Sequence, residues 1–194
     1  MKIQDRYYWE AKRLGYKSRA SFKLLQINER FYILKKRYRV LDLGAAPGGW
    51  SQVAREIVGS EGTVVAVDIK PVKIENVIYL KKNVFDEDII DVLKNYAPFH
   101  VVLSDMSPKI SGVSSWDHAR SIELAQRSLE IAVEVLKDRG HFVTKIFRGD
   151  MENTFKRKCE KFFELVKAHK PRASSPKSSE IYIVCKRFRL SRTP

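Results

Sequence analysis

Beyond residue 38, short apolar runs alternate with longer stretches in which apolar residues recur every three or four positions. The runs at 39–43, 63–67, 77–80, 100–104 and 140–147 are rich in Val, Ile and Leu, the pattern of strands buried inside a sheet. The stretches at 49–58, 87–95, 117–137 and 150–162 predict helices. Strand and helix in repeated alternation are the rhythm of a parallel α/β sheet. Two final strand candidates, 163–168 and 180–187, are separated by KPRASSPKSSE, whose prolines and serines exclude regular structure. A closing hairpin-like pair joined by a basic loop is therefore expected. Ahead of the sheet, Phe22, Leu25, Ile27 and Phe31 approximate a helical stripe over 18–31, with Ser18 as the expected N-cap.

The most specific chemistry sits where the first strand ends. Residues 40–50 read VLDLGAAPGGW, an apolar run passing Asp42 into Gly44, Gly48 and Gly49, which permit positive φ and close approach of a ligand. A dinucleotide fold would carry G-x-G-x-x-G, and a P-loop would end in Gly-Lys-Ser or Gly-Lys-Thr. Both are absent here, so NAD and ATP fit poorly. Asp68 ends the next run, GTVVAVD, where a carboxylate can accept hydrogen bonds from ribose hydroxyls. An adenosine-bearing ligand without phosphate, such as S-adenosylmethionine, meets both conditions and makes an enzyme the leading expectation. The plainer alternative is that Asp42 and Asp68 are strand-end residues with no ligand.

Size and charge narrow the partners. A chain of 194 residues, 44% hydrophobic and 31% charged, suits one globular domain. Its 37 Lys and Arg outnumber 23 Asp and Glu, for a formal net charge of +14. The excess is uneven: residues 1–39 and 156–194 each carry 12 bases and 3 acids, whereas the middle carries 13 bases and 17 acids. Basic ends flanking a less charged core suit a phosphodiester backbone, so nucleic acid is the expected partner, with a solvated lysine-rich surface as the alternative. No apolar stretch approaches a membrane span and the first residues lack a signal-peptide apolar region, so a cytoplasmic protein is expected. Cys159 and Cys185 form no C-x-x-C and the four histidines show no ligand spacing, which argues for reduced thiols and no metal. In the absence of an interface signal, a monomer is expected.

Polar residues at strand ends supply candidate catalytic groups. HVVLSD ends in Asp105, and HFVTKIF places Lys145 among apolar neighbours. Ligands of open α/β sheets bind beyond the carboxyl ends of strands, so both can converge beside the glycine loop. Glu180 joins them if the last strand runs antiparallel, and Lys23 if its helix packs over that edge. From the residues alone, Lys23 and Glu180 read as solvated ion-pairing groups. The long polar loop DMSPKISGVSSWD reads as a substrate-facing lid. Tyr7, Tyr8, Trp9 and Tyr16 are candidates either for stacking on bases or for packing on the core.

Taken in order, SRASFKL, VLDLGAAPGGWSQ, AVDI, SDMSPKISG, TKIF and SSEIYIV strongly resemble the FtsJ-type RNA ribose 2′-O-methyltransferases over nearly the whole chain. The resemblance implies a Rossmann-like α/β fold with a seven-stranded, mostly parallel sheet, its last strand antiparallel, and helices on both faces. It implies one methyltransferase domain over 1–194: a basic helical extension at 1–38, a catalytic core at 39–188 and a tail at 189–194. It maps a catalytic set onto Lys23, Asp105, Lys145 and Glu180, and S-adenosyl-L-methionine contacts onto Gly48, Trp50, Asp68, Asp86 and Asp105. Asp86 is assigned by the resemblance alone.

The implied reaction is attack of a ribose 2′-oxygen on the sulfonium methyl, which requires positioning and loss of a proton. Lys145 is the expected base. Partial burial and a second cation, Lys23, would favour its neutral form, while Asp105 and Glu180 would oppose that; steering of the hydroxyl with late proton loss to water stays open. Among family substrates, the compact length resembles the large-subunit ribosomal RNA group, and the resemblance alone implies a uridine as the target. Transfer RNA is the enzymatic alternative, and an RNA-binding ribosome-assembly factor without activity is the non-catalytic one.

Overall fold

The computed structural model describes residues 3–190, so residues 191–194 of the expected tail lie outside the described residues. Seven strands form one sheet: β1 (Arg39–Leu43), β2 (Thr63–Asp68), β3 (Ile78–Lys81), β4 (Phe99–Ser104), β5 (Leu136–Phe147), β6 (Phe163–His169) and β7 (Glu180–Phe188). Their spatial order is β3-β2-β1-β4-β5-β7-β6. Every pairing is parallel except the two made by β7, which runs antiparallel to β5 and to β6. The closing pair is therefore adjacent, as the sequence suggests, with the last strand inserted inside the sheet.

Six helices accompany it: α1 (Ile3–Arg13), α2 (Ala20–Phe31), α3 (Gly49–Val58), α4 (Ile89–Lys94), α5 (Ser114–Val135) and α6 (Glu152–Glu160). Because strand side chains alternate, each buried strand feeds two cores. Leu41, Val65, Val102, Phe142 and Ile183 pack with Leu93, Leu129 and Phe155 of α4, α5 and α6. Val40, Val64, Val101, Val143 and Val184 pack with Leu24, Ile27, Val53 and Ala54 of α2 and α3. The same alternation puts Asp42, Asp105, Lys145, Glu180 and Tyr182 on the α2/α3 side, since they are an even number of positions from Val40, Leu103, Val143 and Val184. Helix packing and strand parity thus decide which polar residues meet.

Boundaries follow the expected pattern with local differences. The fifth helix starts at Ser114 rather than 117 and stops at Val135, because the chain turns extended at Leu136 (ψ 143°) and joins the sheet early. Ser18 is not the N-cap of α2. Arg19 occupies that position without a side-chain cap, and Ser18 instead lies against Gly49, where a Cβ would overlap its hydroxyl. The four N-terminal aromatics divide: Tyr7 and Tyr16 pack on Phe22 with ring centroids 5.2 and 5.7 Å away, while Tyr8 and Trp9 are exposed.

Candidate active site

The carboxyl ends of β1, β2 and β4 border a cavity of about 400 Å³, lined among others by Gly44, Asp68, Asn83, Phe85, Asp105 and Met106. Gly44 has φ +69°, and a Cβ there would overlap the Met106 side chain. Only glycine gives both that backbone and that clearance. Asp68 closes the floor. Its Oδ2 accepts from Ala46 N at 2.9 Å and its Oδ1 from Lys70 N at 2.8 Å, bonds that fix the carboxylate while leaving acceptor capacity on each oxygen.

The resemblance-derived cofactor residues are not equivalent in space. Asp68 and Asp105 line the main cavity. Trp50 borders a smaller neighbouring cavity of about 50 Å³, together with Asp42, Gly44 and Asp105. Gly48 and Asp86 line neither. Gly48, at φ +110°, sits so close to Ile74 that a Cβ would lie 2.8 Å from its Cγ1. Asp86 Oδ2 accepts from Asn83 N at 2.9 Å, holding the turn whose Asn83, Val84 and Phe85 form the cavity wall. The Trp50 indole donates to the Ala20 carbonyl at 2.9 Å and Ser21 Oγ donates to the Gly49 carbonyl at 3.1 Å, so the glycine loop and the start of α2 are fastened together.

That fastening brings Lys23 to the sheet. Its ammonium lies 2.6 Å from Glu180 Oε1, and both side chains are largely buried, at 7% and 13% exposure. The solvated pairing expected for these two residues is thus replaced by an interior ion pair, because α2 covers the sheet edge and β7 runs antiparallel. Lys145 Nζ donates to the Asp105 carbonyl at 2.7 Å and lies 3.1 Å from Asp105 Oδ1. All four residues of the expected catalytic set therefore converge.

Tyr182, which sequence reasoning missed, joins the two pairs. It is fully buried, faces Lys145 across the β5–β7 ladder, and donates its hydroxyl to Asp105 Oδ1 at 2.7 Å. Lys23 Nζ sits 5.8 Å from its ring centroid, and the Trp50 ring packs on it with centroids 5.5 Å apart. Burial, followed by the charges of Asp105 and Glu180, raises the phenol well above its ordinary range, so it is a donor at neutral pH. The available signal was E-I-Y in SSEIYIV, which puts Glu180 and Tyr182 on one face of the strand.

Asp42, a strand-end acid in the sequence, has an environment that only the fold creates. It is buried beneath the loop, accepts from Ser51 Oγ at 2.6 Å, and leaves Oδ1 without a partner. Burial pushes it up to about 7, against the Ser51 bond and with help from the charges of Asp105 and Asp68. A carboxyl raised on folding adds stability that is full below its unfolded value near 3.8 and is lost as pH rises through about 7.

The expected lid, DMSPKISGVSSWD over 105–117, is irregular only over 105–113, because α5 begins at Ser114. Its far end is tied down by Asp117, whose Oδ1 accepts from both the amide and hydroxyl of Ser111 at 2.8 Å, bonds that lower the Asp117 carboxyl. Asp105, Met106 and Ser107, at its start, line the cavity. Among the described residues, no cluster of His, Cys, Asp and Glu is arranged to hold a metal ion, and no helix is long and apolar enough to cross a membrane.

Comparison with known proteins agrees with this architecture. The FtsJ-like methyltransferase family profile matches residues 16–188. The chain is 48% identical over 193 residues to ribosomal RNA large subunit methyltransferase E of Methanocaldococcus jannaschii, covering 95% of this chain and 79% of that protein. It is 47% identical to the Archaeoglobus fulgidus protein of the same name, covering 96% and 97%. Among solved structures, a Plasmodium falciparum protein described as a ribosomal RNA methyltransferase superposes with a TM-score of 0.79 at 28% identity, covering 89% of this chain and 98% of that one. From the match over residues 16–188 and identities near half with these two relatives, the chain belongs to the FtsJ-like methyltransferase family.

Proposed function

We propose that this methyltransferase transfers the methyl group of S-adenosyl-L-methionine to a ribose 2′-hydroxyl, that of a uridine in large-subunit ribosomal RNA, working as a cytoplasmic monomer. The observation that carries the chemistry is the pair of buried lysine–carboxylate contacts, Lys23–Glu180 and Lys145–Asp105, joined by Tyr182 beside the cavity. The names of the archaeal relatives support the ribosomal RNA substrate.

The cavity residues fit the cofactor. Gly44 keeps side-chain bulk out of the approach, Asp68 offers carboxylate oxygens to ribose hydroxyls, and Asn83 to Phe85 form a wall for the base, with Asp86 holding their turn. Trp50 and Gly48 act by shaping the loop. When bound, S-adenosylmethionine supplies an electrophilic methyl on a positively charged sulfur. Asp105 lines the cavity and holds Lys145, which places a nitrogen base at the boundary between cofactor and acceptor. Lys145, once it has released one ammonium proton to solvent, takes the proton of the 2′-hydroxyl as its oxygen attacks. Lys23 is held by Glu180 and supplies a fixed positive charge for the developing oxyanion. The basic ends of the chain hold the RNA phosphates.

The test is transfer of labelled methyl to ribosomal RNA, assembled large subunits and transfer RNA, with nuclease mapping of the product and Lys145→Ala alongside wild type. The expected product is 2′-O-methyluridine in ribosomal RNA. The substitution should lower turnover by about 10³-fold, with cofactor affinity, read by calorimetry, essentially unchanged. Label confined to transfer RNA reassigns the substrate, and absence of label in every pool defeats the catalytic proposal.

A further inference from the structure

The opposite end of the sheet, where the parallel strands begin, carries a second cavity of about 180 Å³, lined by Tyr38, His100, Lys137, Asp138, Arg139, Gly140 and His141. None of these residues belongs to the candidate active site. Tyr38 and His100 are stacked, with centroids 4.3 Å apart and planes within 18°, forming a rigid wall. Gly140 makes the opposite side tight: a Cβ there would lie 2.9 Å from the Lys137 carbonyl oxygen. Arg139 before it adopts φ +61°.

The polar groups of this cavity are mostly hydrogen-bond donors. The Arg39 amide donates to His100 Nδ1 at 3.0 Å, so the neutral ring carries its hydrogen on Nε2, which has no partner among the described residues. Lys137 adds an exposed ammonium without a carboxylate partner among the described residues. The surrounding field is positive. Burial, then Lys137 and Arg39, lower His100; burial, then chiefly Lys186, bring His141 to about 4, with Lys35 and Arg187 acting in the same direction. Both rings are thus neutral at physiological pH. Three carboxylates oppose this field. Glu164 is engaged by Arg139 and Arg187, Glu61 by Arg37, and Asp138 lines the cavity with Oδ1 accepting from Leu190 N at 3.4 Å.

We propose that this cavity is a second binding site for a phosphate group, supplied by the RNA backbone, so that RNA is gripped at the end of the sheet remote from methyl transfer. A neutral imidazole N–H and a lysine ammonium beside a tight turn match the acceptor oxygens of a phosphodiester, and the chain's charge of +14 favours a polyanion over an isolated small anion. The RNA source rests on the proposed function; the phosphate chemistry does not.

The experiment follows the imidazole resonances of the wild-type protein by NMR, assigned with His100→Gln and His141→Gln. The additions are inorganic phosphate, a short oligonucleotide centred on the methylated position, and a ribosomal RNA fragment of several tens of nucleotides. The long fragment should shift His100 and His141 while the short one leaves them in place. Lys137→Glu should weaken the long fragment severalfold and lower its salt slope by roughly 1, with methyl transfer to the short oligonucleotide unchanged. Shifts with inorganic phosphate alone would overturn RNA as the source, and no shift with any addition would overturn the site. Failure of methyl transfer to every RNA, with the shifts intact, would count against the proposed reaction and not against this cavity.

Discussion

Two ion pairs of similar composition sit at opposite ends of one sheet. Lys23 and Glu180, at the carboxyl end, leave 7% and 13% of their side chains exposed; Arg37 and Glu61, at the other, leave 74% and 64%. The first pair has exchanged water for fixed partners: the Tyr182 ring lies beside Lys23, and α2 covers it. The second remains hydrated. Buried charges are costly to separate, so the first pair fixes geometry, whereas exposed charges are screened and remain available to counterions and polyanions. One end of the sheet therefore holds its charged groups still, and the other presents them to solvent.

Substitutions graded by burial sharpen that contrast. Glu180→Gln strands an ammonium in the interior and should cost about 3 kcal/mol of unfolding free energy, read from urea denaturation; a loss under a third of that would mean water reaches Lys23. Tyr182→Phe keeps the ring and removes the hydroxyl that braces Asp105. Turnover should fall about tenfold, the rate equivalent of a hydrogen bond worth roughly 1.4 kcal/mol, with the folded state retained by circular dichroism. Unchanged turnover would remove Tyr182 from the positioning of Asp105. Glu61→Gln, at the far end, should change stability by less than about 1 kcal/mol, and a larger loss in the same urea assay would erase the distinction between the two ends.

What the sequence disclosed follows the same division between local and assembled features. Strand periods, the glycine loop and the strand-end positions of Asp68, Asp105 and Lys145 depend on neighbours in the chain, and all appear where the pattern puts them. The burial of Lys23 and Glu180 does not, because it requires α2 to be fastened through Trp50 and Ser21 and β7 to enter between β5 and β6. Tyr182 was hidden for the same reason: an apolar-looking strand residue becomes a hydrogen-bond donor to Asp105 only once β5 and β7 are in register. Ser18 failed as a cap because the close approach of Gly49 claims it. Asp86 stands outside the cavity lining, its Oδ2 accepting from the Asn83 amide in the turn that forms the wall.

The inserted position of β7 has a consequence during synthesis. Glu180 and Tyr182 follow Lys23 by more than 150 residues, and both neighbours of their strand, β5 and β6, precede it in the chain. A growing chain can form the glycine loop and the parallel half of the sheet while a slot stays open beside β5. The Lys23–Glu180 and Tyr182–Asp105 contacts are long-range, and their loop-closure entropy must be met before they form. On the proposed mechanism, methyl transfer therefore waits for β7: a nascent chain stopped short of residue 180 would keep Lys145 beside Asp105 but leave Lys23 without Glu180 and Asp105 without the Tyr182 hydroxyl.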